Sequence, residues 1–309
     1  ARAGVPQAVP APGRAPAPFP AAPASTQGAA VVPISSSFGY DLNGDLLTVE
    51  RKAPWGHERR QFRYDASRRI TEQIATDSQG QKINWDGASN PVDAPGGRVP
   101  DNRVLALGSM SASYDGFGRL GERTTPDGHI RLEWNALHQL VGATGHRNGD
   151  AYLETYAYDA FGRRIAKTTN GSEKTFLWEG ERLLMEEDDE GCRVFVYYDD
   201  SHEPIGFVLS SDTDTASLAP VHRFLYVHNE PLGSPCALTD EGGGVLWHSG
   251  LGAFGPEPGN GDIQPLRLQG QYFDVSTGLC YNRFRYYEPL VGRFVSPDPF
   301  GLLGGENLY

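Results

Sequence analysis

The sequence has few cysteines, few cations and no long apolar run. Its three cysteines, Cys192, Cys236 and Cys280, are far apart and show neither CxxC nor zinc-site spacing, which predicts buried free thiols. The 27 Lys and Arg against 39 Asp and Glu give a net charge of −12, which argues against the basic face that nucleic acids require. No stretch is long and apolar enough to span a bilayer.

The N-terminal residues also lack features of a complete secreted chain. Residues 1–4 (ARAG) contain neither an initiating methionine nor the apolar core of a signal peptide. We therefore expect an interior fragment or a processed product. The Pro/Ala-rich residues 1–35 predict an extended linker or arm, because closely spaced prolines fix φ and remove backbone donors.

The familiar motifs of enzymes acting on an external substrate are missing. The eight histidines form no HxH or HExxH pattern and are interpreted as surface or hydrogen-bonded strand residues. Ser234 lacks the GxSxG frame of a nucleophile elbow, and Gly242–Gly244 is not followed by the Lys-Ser/Thr of a phosphate loop. We predict no metal site, no cofactor and no external substrate.

What the sequence does contain is 38 Gly, 23 Pro, 14 Tyr and 14 Phe, a composition typical of short strands joined by turns. A Tyr-Asp unit recurs at intervals of about 20–24 residues, with a longer insertion around residues 88–105. The segment Glu181–Asp189 is interpreted as strand and turn rather than helix. The clear copies are Tyr40-Asp41, Tyr64-Asp65, Tyr114-Asp115 and Tyr158-Asp159, and the weaker ones are Trp85-Asp86, Trp134-Asn135, Trp178-Glu179 and Tyr198-Asp199.

Each unit predicts a strand, a tight turn and a returning strand. The Asp accepts hydrogen bonds from nearby backbone N–H groups, and the Gly that follows permits the turn. Thr125–Gly128 and Thr169–Ser172 are predicted reverse turns between hairpins. The alternation in Phe161–Thr168 predicts an apolar face and an opposite face that carries Arg and Lys, as in a half-buried strand. Stacked hairpins predict a long, curling antiparallel sheet.

Two C-terminal segments resemble signatures of the Rhs family. Phe224–Gly255 contains LGSPCALTDEGGGVLW, and Arg267–Tyr309 reads RLQGQYFDVSTGLCYNRFRYYEPLVGRFVSPDPFGLLGGENLY. The second segment is similar to the Rhs pattern GQYxDxETGLxYNxxRYYDPxxGRFxxxDPxGxxGGxNxY over about forty residues. The sequence departs from the family at Asn229–Pro231, Glu288 and Leu290-Val291, as a divergent member would.

The resemblance implies an all-β fold of stacked antiparallel YD-repeat hairpins that forms part of a spiralling β-cocoon, with an inward-turning C-terminal plug. Residues 36–222 would be the repeat sheet and residues 223–309 the signature and plug. It implies a shell that houses a C-terminal toxin domain, delivered to target cells by a bacterial secretion system such as type VI and used in interbacterial competition. Partners would be the toxin, the remaining shell and, through the parent, a secretion spike or chaperone and an immunity protein. A teneurin-like adhesion module is the alternative.

The resemblance also implies self-cleavage by two aspartates in successive Asp-Pro motifs. Asp298 lies in the first motif, and the partner aspartate is expected beyond residue 309. The alternative is that Asp298 only caps the glycine-rich turn that follows it. The remaining motif and turn residues are Pro299, Gly301, Leu302, Gly304, Gly305 and Asn307.

Two further expectations concern the C-terminal part. Its aromatic residues alternate with arginines, which favours cation–π packing inside the plug over nucleic-acid binding. About eight hairpins are too few to enclose a toxin domain, so we expect the end section of a larger cocoon or an assembly with other chains. The alternating residues are Tyr281, Phe284, Tyr286, Tyr287 and Phe294 with Arg283, Arg285 and Arg293.

Overall fold

The described part of the chain is built almost wholly of antiparallel strands. The computed structural model describes residues 33–76, 80–211, 221–257 and 263–309. Within these ranges the helical elements are 3₁₀ turns at Pro100–Asn102 and Gly301–Gly304. The all-β class predicted from the sequence is confirmed. Residues 1–32 of the predicted linker lie outside the described residues.

An N-terminal sheet of five strands opens the fold, with the strands side by side in chain order. A two-stranded sheet of β6 (Asn84–Trp85) and β7 (Pro91–Val92) follows, in the stretch where the repeat spacing is interrupted. The five strands of the N-terminal sheet are β1 Ser35–Tyr40, β2 Leu46–Ala53, β3 Gly56–Tyr64, β4 Ile70–Ala75 and β5 Gln81–Lys82.

A 14-stranded sheet forms most of the molecule, and its strand order also follows the chain. Each strand therefore pairs with its sequence neighbours, as stacked hairpins require. The segment Glu181–Asp189 is strand and turn, as predicted. The strands are β8 Ala106–Leu107, β9 Met110–Tyr114, β10 Leu120–Thr125, β11 Gly128–Trp134, β12 Leu140–Arg147, β13 Asp150–Tyr158, β14 Arg164–Thr169, β15 Ser172–Glu179, β16 Arg182–Asp188, β17 Gly191–Tyr197, β18 Pro204–Ser211, β19 Val221–Asn229, β20 Pro235–Thr239 and β21 Val245–His248.

The Tyr-Asp units form the turns at one end of the hairpins. Asp159 Oδ1 accepts hydrogen bonds from the backbone N–H groups of Phe161 and Arg163 at 2.9 and 2.8 Å. Asp159 Oδ2 accepts from Arg163 Nε at 2.6 Å. Gly162 has a φ of +77°, which side chains rarely tolerate. The same two backbone bonds are made by Asp41, Asp65, Asp86, Asp115, Asn135 and Asp240.

The opposite ends of the hairpins are closed by the predicted reverse turns. Thr125 pairs with Gly128, and Thr169 pairs with Ser172, across two-residue connections. Neighbouring strands approach closely here, and a Cβ on Gly128 would overlap the carbonyl oxygen of His146. Both reverse turns are therefore confirmed.

The C-terminal strands turn inward and pack on the inner face of the large sheet. They are a two-stranded ribbon and a four-stranded sheet. We call the four-stranded sheet and its flanking segments (residues 264–296) the plug. One hydrophobic core joins Leu140, Phe195 and Phe207 of the large sheet to Leu279 and Tyr281 of the plug. The predicted inward-turning plug is confirmed. The strands are β22 Leu251–Gly252, β23 Gly255–Pro256, β24 Tyr272–Asp274, β25 Leu279–Asn282, β26 Arg285–Glu288 and β27 Arg293–Phe294.

The prediction that Phe161–Thr168 has one apolar face and an opposite face with Arg and Lys is wrong. Arg164 is only 1% exposed, whereas Ile165 is 40% exposed. Lys167 is also largely buried, with 12% of its side chain exposed. The reason is that the plug brings carboxylates to the inner face of β14, so that face holds paired charges as well as apolar side chains.

The N-terminal sheet packs against the last strands of the large sheet. Arg51 Nη2 lies 2.5 Å from Glu230 Oε1, and both side chains are 2% exposed. Arg60 Nη1 and Gln73 Nε2 donate to the carbonyl oxygen of Leu251 at 2.9 and 2.8 Å. Glu230, one of the departures from the family pattern, is thus the partner of a buried arginine.

The predicted segments 36–222 and 223–309 meet inside a strand. Strand β19, Val221–Asn229, runs across the boundary between them. The division therefore stays a prediction about segments of sequence, and the first predicted segment ends at Ser35, where β1 begins.

Candidate functional site

The plug contacts the large sheet through two buried tyrosines. Tyr281 Oη accepts a hydrogen bond from the backbone N–H of Arg164 at 2.9 Å, and its ring packs edge-on to Trp178 at 6.0 Å between ring centroids. Tyr286 Oη lies 3.0 Å from Tyr158 Oη. Burial raises the pKa of Tyr281 to about 12, so the phenol stays neutral and serves as a hydrogen-bonding anchor.

Asp274 is the centre of a buried charge network between plug and sheet. Its carboxylate lies 2.6 Å from Arg164 Nη1 and 3.2 Å from Lys167 Nζ. Lys167 also lies 3.4 Å from Glu154, which accepts a hydrogen bond from Ser276 Oγ at 2.8 Å. Burial disfavours the charged form of Asp274, but Arg164 and Lys167 outweigh burial and lower its pKa. The plug is therefore fixed to β13 and β14 by ionised groups.

A second set of guanidinium groups holds the turn between β24 and β25. Arg123 forms a buried ion pair with Glu288 and donates to the carbonyl oxygen of Thr277 at 2.5 Å. Arg147 Nη1 donates to the carbonyl oxygen of Val275 at 2.6 Å. Glu288, another departure from the family pattern, is thus paired with a buried cation. These contacts extend the attachment of the plug to β10 and β12.

The chain leaves the plug at Val295, where it contacts the first residue of strand β10 in the large sheet. The backbone N–H of Val295 donates to the carbonyl oxygen of Tyr286 at 2.8 Å, and its carbonyl oxygen accepts from the N–H of Leu120 at 2.8 Å. The N–H of Asp298 then donates to the carbonyl oxygen of Leu308 at 2.7 Å. Residues 298–308 consequently form a loop that folds back on itself.

Asp298 lies at the start of this loop, with 16% of its side chain exposed. Oδ1 accepts a hydrogen bond from the N–H of Phe300 at 2.8 Å, and the backbone carbonyl accepts from the N–H of Gly301 at 2.9 Å. Oδ2 lies 3.0 Å from Arg285 Nη2. A Cβ on Gly304 would be only 2.9 Å from Oδ2. Asp298 therefore caps its turn through Oδ1. Its other carboxylate oxygen, Oδ2, faces both the guanidinium of Arg285 and the backbone at Gly304.

The other predicted motif residues shape and anchor the loop. Pro299 fixes φ directly after the aspartate. Gly301 and Gly305 have φ values of +57° and +136°, in the region that favours glycine. Leu302 is 78% exposed. Asn307 points away from Asp298, and its Nδ2 donates to the carbonyl oxygen of Ala88 at 2.6 Å.

The structure thus brings together Asp298, Gly301 and Gly304, whereas Asn307 serves a separate attachment. In the part of the chain that the structure describes, the recorded contacts of the Asp298 carboxylate include no second Asp or Glu. Arg285 was not predicted as its partner. Asp159 pairs with Arg163 four residues later, whereas no arginine occupies the corresponding position after Asp298. This absence was the available signal that the partner of Asp298 lies elsewhere in the chain.

The predicted cation–π packing in the C-terminal part is present but lies only partly inside. The guanidinium carbon of Arg285 is 3.5 Å from the ring centroid of Phe294, and that of Arg283 is 4.6 Å from the ring centroid of Phe284. Phe284 is 54% exposed. The prediction is wrong for the Arg283–Phe284 pair. Arg283 has a φ of +54° and lies in the turn between β25 and β26, where Phe284 is exposed to solvent.

The cysteines and histidines agree largely with their predictions. Cys236 and Cys280 are buried free thiols, and burial raises the pKa of each to about 12. Cys192 is free but only half-buried, which corrects that prediction. His57 Nε2 lies 2.9 Å from Glu50, His129 Nδ1 lies 3.1 Å from Thr124 and His228 Nε2 lies 3.0 Å from Thr239, so these histidines are hydrogen-bonded.

Two features are absent from the described ranges. Neither 3₁₀ turn nor any other helical element in those ranges has the length and apolarity to cross a membrane. Within the same ranges, no three or more His, Cys, Asp or Glu side chains are grouped so that they could hold a metal ion.

Stacked Tyr-Asp hairpins around an inward-turning, ion-paired plug define a β-shell protein of the YD-repeat class. The chain belongs to the Rhs/YD-repeat family, because the family model described as Teneurin YD-shell matches residues 29–303.

Curated relatives of the chain include bacterial proteins that are named as toxins. It is 36% identical over 313 residues to double-stranded DNA deaminase toxin A of Burkholderia cenocepacia (strain H111), covering 88% of this chain and 21% of that protein. It is 32% identical to toxin protein Tse5 of Pseudomonas aeruginosa (strain PAO1), covering 89% and 24%. It is 27% identical to probable deoxyribonuclease RhsA of Dickeya dadantii (strain 3937), covering 88% and 20%. The chain thus spans about a fifth to a quarter of these relatives.

Solved structures show the same fold. The crystal structure of TcdB2-TccC3 matches with a TM-score of 0.54 and 15% identity, over 89% of this chain and 18% of that one. A Photorhabdus luminescens Tc holotoxin pore carrying the mutation TccC3-D651A matches with a TM-score of 0.53. At this identity the likeness establishes the β-shell architecture.

Proposed function

We propose that this chain is the C-terminal section of a toxin-encapsulating shell in a longer parent protein. The observation that carries the proposal is the plug, which is fixed to the inner face of the sheet by buried ion pairs and contacts the Asp298 loop that follows it through Arg285. The toxin relatives, of which the chain spans about a fifth to a quarter, support it. The plug occupies the inner face of this section, so the cargo would lie against other parts of the parent shell.

We further propose that Asp298 takes part in releasing the toxin from the shell by peptide hydrolysis. Two nearby carboxyl groups can divide the work, because one acts as base and the other as acid. One carboxylate takes a proton from water as the water oxygen attacks the scissile carbonyl carbon. The other carboxyl group, which is protonated, donates its proton to the amine nitrogen as the C–N bond breaks. In the Rhs pattern the second carboxylate follows residue 309, so this step belongs to the parent chain.

Delivery and partners follow from the same proposal. The shell and toxin would be made in the bacterial cytoplasm and delivered to other cells by a secretion system, with type VI as the candidate route. A spike or chaperone would bind elsewhere on the parent, and an immunity protein would neutralise the toxin. The teneurin-like adhesion alternative is less favoured, because two relatives that match most of this chain at more than 30% identity are named as toxins.

Asp298→Asn in the full-length parent tests the cleavage step. We expect release of the C-terminal fragment to slow by about 100-fold or more, because an amide cannot act as base or acid. Time-resolved gel electrophoresis and mass spectrometry of the fragments measure it. Asp159→Asn is the matched control, since Asp159 Oδ1 also accepts from the backbone N–H two residues later, and its carboxylate also pairs with an arginine.

Release at the normal rate in Asp298→Asn would remove the assigned role. Encapsulation is tested separately on the wild-type parent. The released toxin fragment should remain with the shell in size-exclusion chromatography and resist added protease. A fragment that elutes alone, or is digested at once, argues against a shell function.

A further inference from the structure

Two histidines lie side by side on the outer face of the large sheet. Ile130 of β11 and Ala143 of β12 are buried on the inner face, so the alternation along these strands turns His129 and His146 outward. The two histidines are directly opposite each other in the β11–β12 register. Their ring centroids are 6.4 Å apart, with an angle of 34° between the ring planes. Strand pairing therefore brings together two imidazoles that no short sequence motif links.

The surroundings of His129 favour the tautomer that binds a metal ion. Thr124 lies opposite His129 on β10, and its Oγ1 is 3.1 Å from His129 Nδ1. When Oγ1 accepts a hydrogen bond from Nδ1–H, the free lone pair of the neutral imidazole is on Nε2. Metal-binding histidines are commonly held in this way through their other ring nitrogen. Thr124 thus orients the ring and leaves Nε2 as the ligand atom.

The histidine pair lies in a cleft of about 390 Å³ beside two hairpin turns. The turns contain Asp127 and Asn148, and the backbone N–H of Asn148 donates to the carbonyl oxygen of Asp127 at 2.7 Å. This bond ties the turns together, so the cleft is formed by the fold itself. Asp127 lines the cleft, and the chain has a net charge of −12. Both the local and the overall charge therefore favour a cation.

Two imidazoles with open positions around them suit a transition-metal ion. Two rings that share a tetrahedral zinc ion have centroids roughly 5 Å apart, because each Zn–N bond is about 2 Å long. A small rotation of the two side chains closes the observed distance of 6.4 Å to this value. Imidazole nitrogen suits Zn²⁺, Ni²⁺ and Cu²⁺, whereas Ca²⁺ and Mg²⁺ take oxygen ligands. Among the described residues, no third His, Cys, Asp or Glu completes a metal-holding group with the pair, so water would fill the other positions.

We propose that His129 and His146 form a transition-metal site on the outer face of the shell, which binds one Zn²⁺, Ni²⁺ or Cu²⁺ ion through two imidazole nitrogens. Strands β11 and β12 are joined at their other end by the turn at Asn135, so the ion crosslinks the opposite end of this hairpin. It stabilises the folded state, because the site exists only when the two strands are in register. This inference is independent of the self-cleavage proposed above.

Metal titration of the purified 309-residue chain without a polyhistidine tag tests the site. Isothermal titration calorimetry with zinc, nickel and copper(II) salts should show one equivalent of each ion bound, with Cu²⁺ the tightest. Thr124→Val should weaken Zn²⁺ binding by about 10-fold, as loss of an outer-shell partner does. His129→Ala and His146→Ala each remove a ligand, so each should weaken binding by about 100-fold or more.

His57→Ala is the matched control. His57 is also an exposed histidine of an antiparallel strand, but the residue opposite it is Lys52, and its Nε2 lies 2.9 Å from Glu50. The control should bind all three ions as the wild type does. The inference would be overturned by a wild type with no saturable one-to-one site, by unchanged binding in His129→Ala or His146→Ala, or by equal weakening in His57→Ala.

Melting temperatures distinguish a lost ligand from a lost fold. Both histidines are on the outer face and His146 is exposed, so the metal-free variants should melt at the wild-type temperature. Saturating Zn²⁺ should raise the melting temperature of the wild type and of His57→Ala by a few degrees, and should leave His129→Ala and His146→Ala unchanged. A rise of equal size in either of these two variants would place the ion elsewhere and contradict the proposed site.

Discussion

Arg163 and Arg164 are adjacent in sequence and belong to opposite kinds of ion pair. Arg163 is 21% exposed at its side chain and pairs with Asp159 four residues earlier, within one turn. Arg164 is 1% exposed and pairs with Asp274, 110 residues away. Ion pairs of the first kind are self-contained within one turn, as at Asp65, Asp115 and Asp159. Ion pairs of the second kind join the large sheet to the plug.

The surroundings of the two arginines explain the difference. Four aromatic rings lie 4.5 to 5.6 Å from the guanidinium carbon of Arg164, and Asp274 raises its pKa well above the usual value although burial opposes this. A charge so enclosed depends on its partner. Arg163 has water nearby and depends on Asp159 much less. The four rings around Arg164 are those of Tyr156, Phe176, Tyr272 and Tyr281.

Among the substitutions that test this difference between the two kinds of ion pair, Asp274→Asn should have the largest effect on stability. It leaves Arg164 and Lys167 buried without their shared carboxylate, and we expect the free energy of unfolding to fall by about 3–5 kcal/mol. Equilibrium urea unfolding measures this. The double change Arg164→Met with Asp274→Leu should cost less than the single change, because no unpaired charge remains buried. A single variant within about 1 kcal/mol of wild type would show that the network contributes little.

Acid should weaken the turns through Asp86. Burial raises its pKa, but hydrogen bonds from Asn90, Val99 and Ala88 outweigh burial and lower the pKa to about 2. A lowered carboxyl pKa stabilises the fold above the unfolded value near 4, and that stability is lost as pH falls toward 2. We expect Asp86→Asn to cost on the order of 1–2 kcal/mol at pH 6, with the cost shrinking toward pH 2. Urea unfolding at several pH values measures it, and a pH-independent difference would contradict the assignment.

The smallest effect is expected at Asp159. Asp159→Ala removes two backbone acceptor bonds and the Arg163 pair, which should cost about 1 kcal/mol. Asp159→Asn should cost less, because Asn135 already forms this turn and accepts the N–H groups of Leu137 and Gln139 at 2.9 and 3.0 Å. Melting temperatures of the two variants rank them. An alanine variant as stable as wild type would show that the turn needs no carboxylate.

The turns and their local ion pairs could be predicted from the sequence, whereas the ion pairs between distant residues could not. The turn at Asp159 follows from residues that are neighbours in the chain, as does the reverse turn at Thr169–Ser172. The burial of Arg164 depends on Asp274, and alternation along one strand carries no information about a partner 110 residues away. Charged residues were therefore assigned to the wrong face.

At the candidate site, too, the local features could be predicted from the sequence and the contact between distant residues could not. The motif located Asp298 and the glycines of its loop, because their turn geometry is local. Arg285 was grouped with the aromatic residues of the plug, and cation–π packing within that group was expected. Its contact with Asp298 was missed because it depends on how hairpin β26–β27 lies against the loop.

The strand order of the large sheet has a consequence for how the chain matures. Because each strand pairs with the one synthesised just before it, the sheet can lengthen hairpin by hairpin as the polypeptide leaves the ribosome, with little loop-closure entropy to overcome at any step. The plug is different, since Asp274 must find strands made 110 residues earlier. Biogenesis would then run as a steady vectorial extension followed by one late docking event, and slow steps should concentrate in the last forty or so residues.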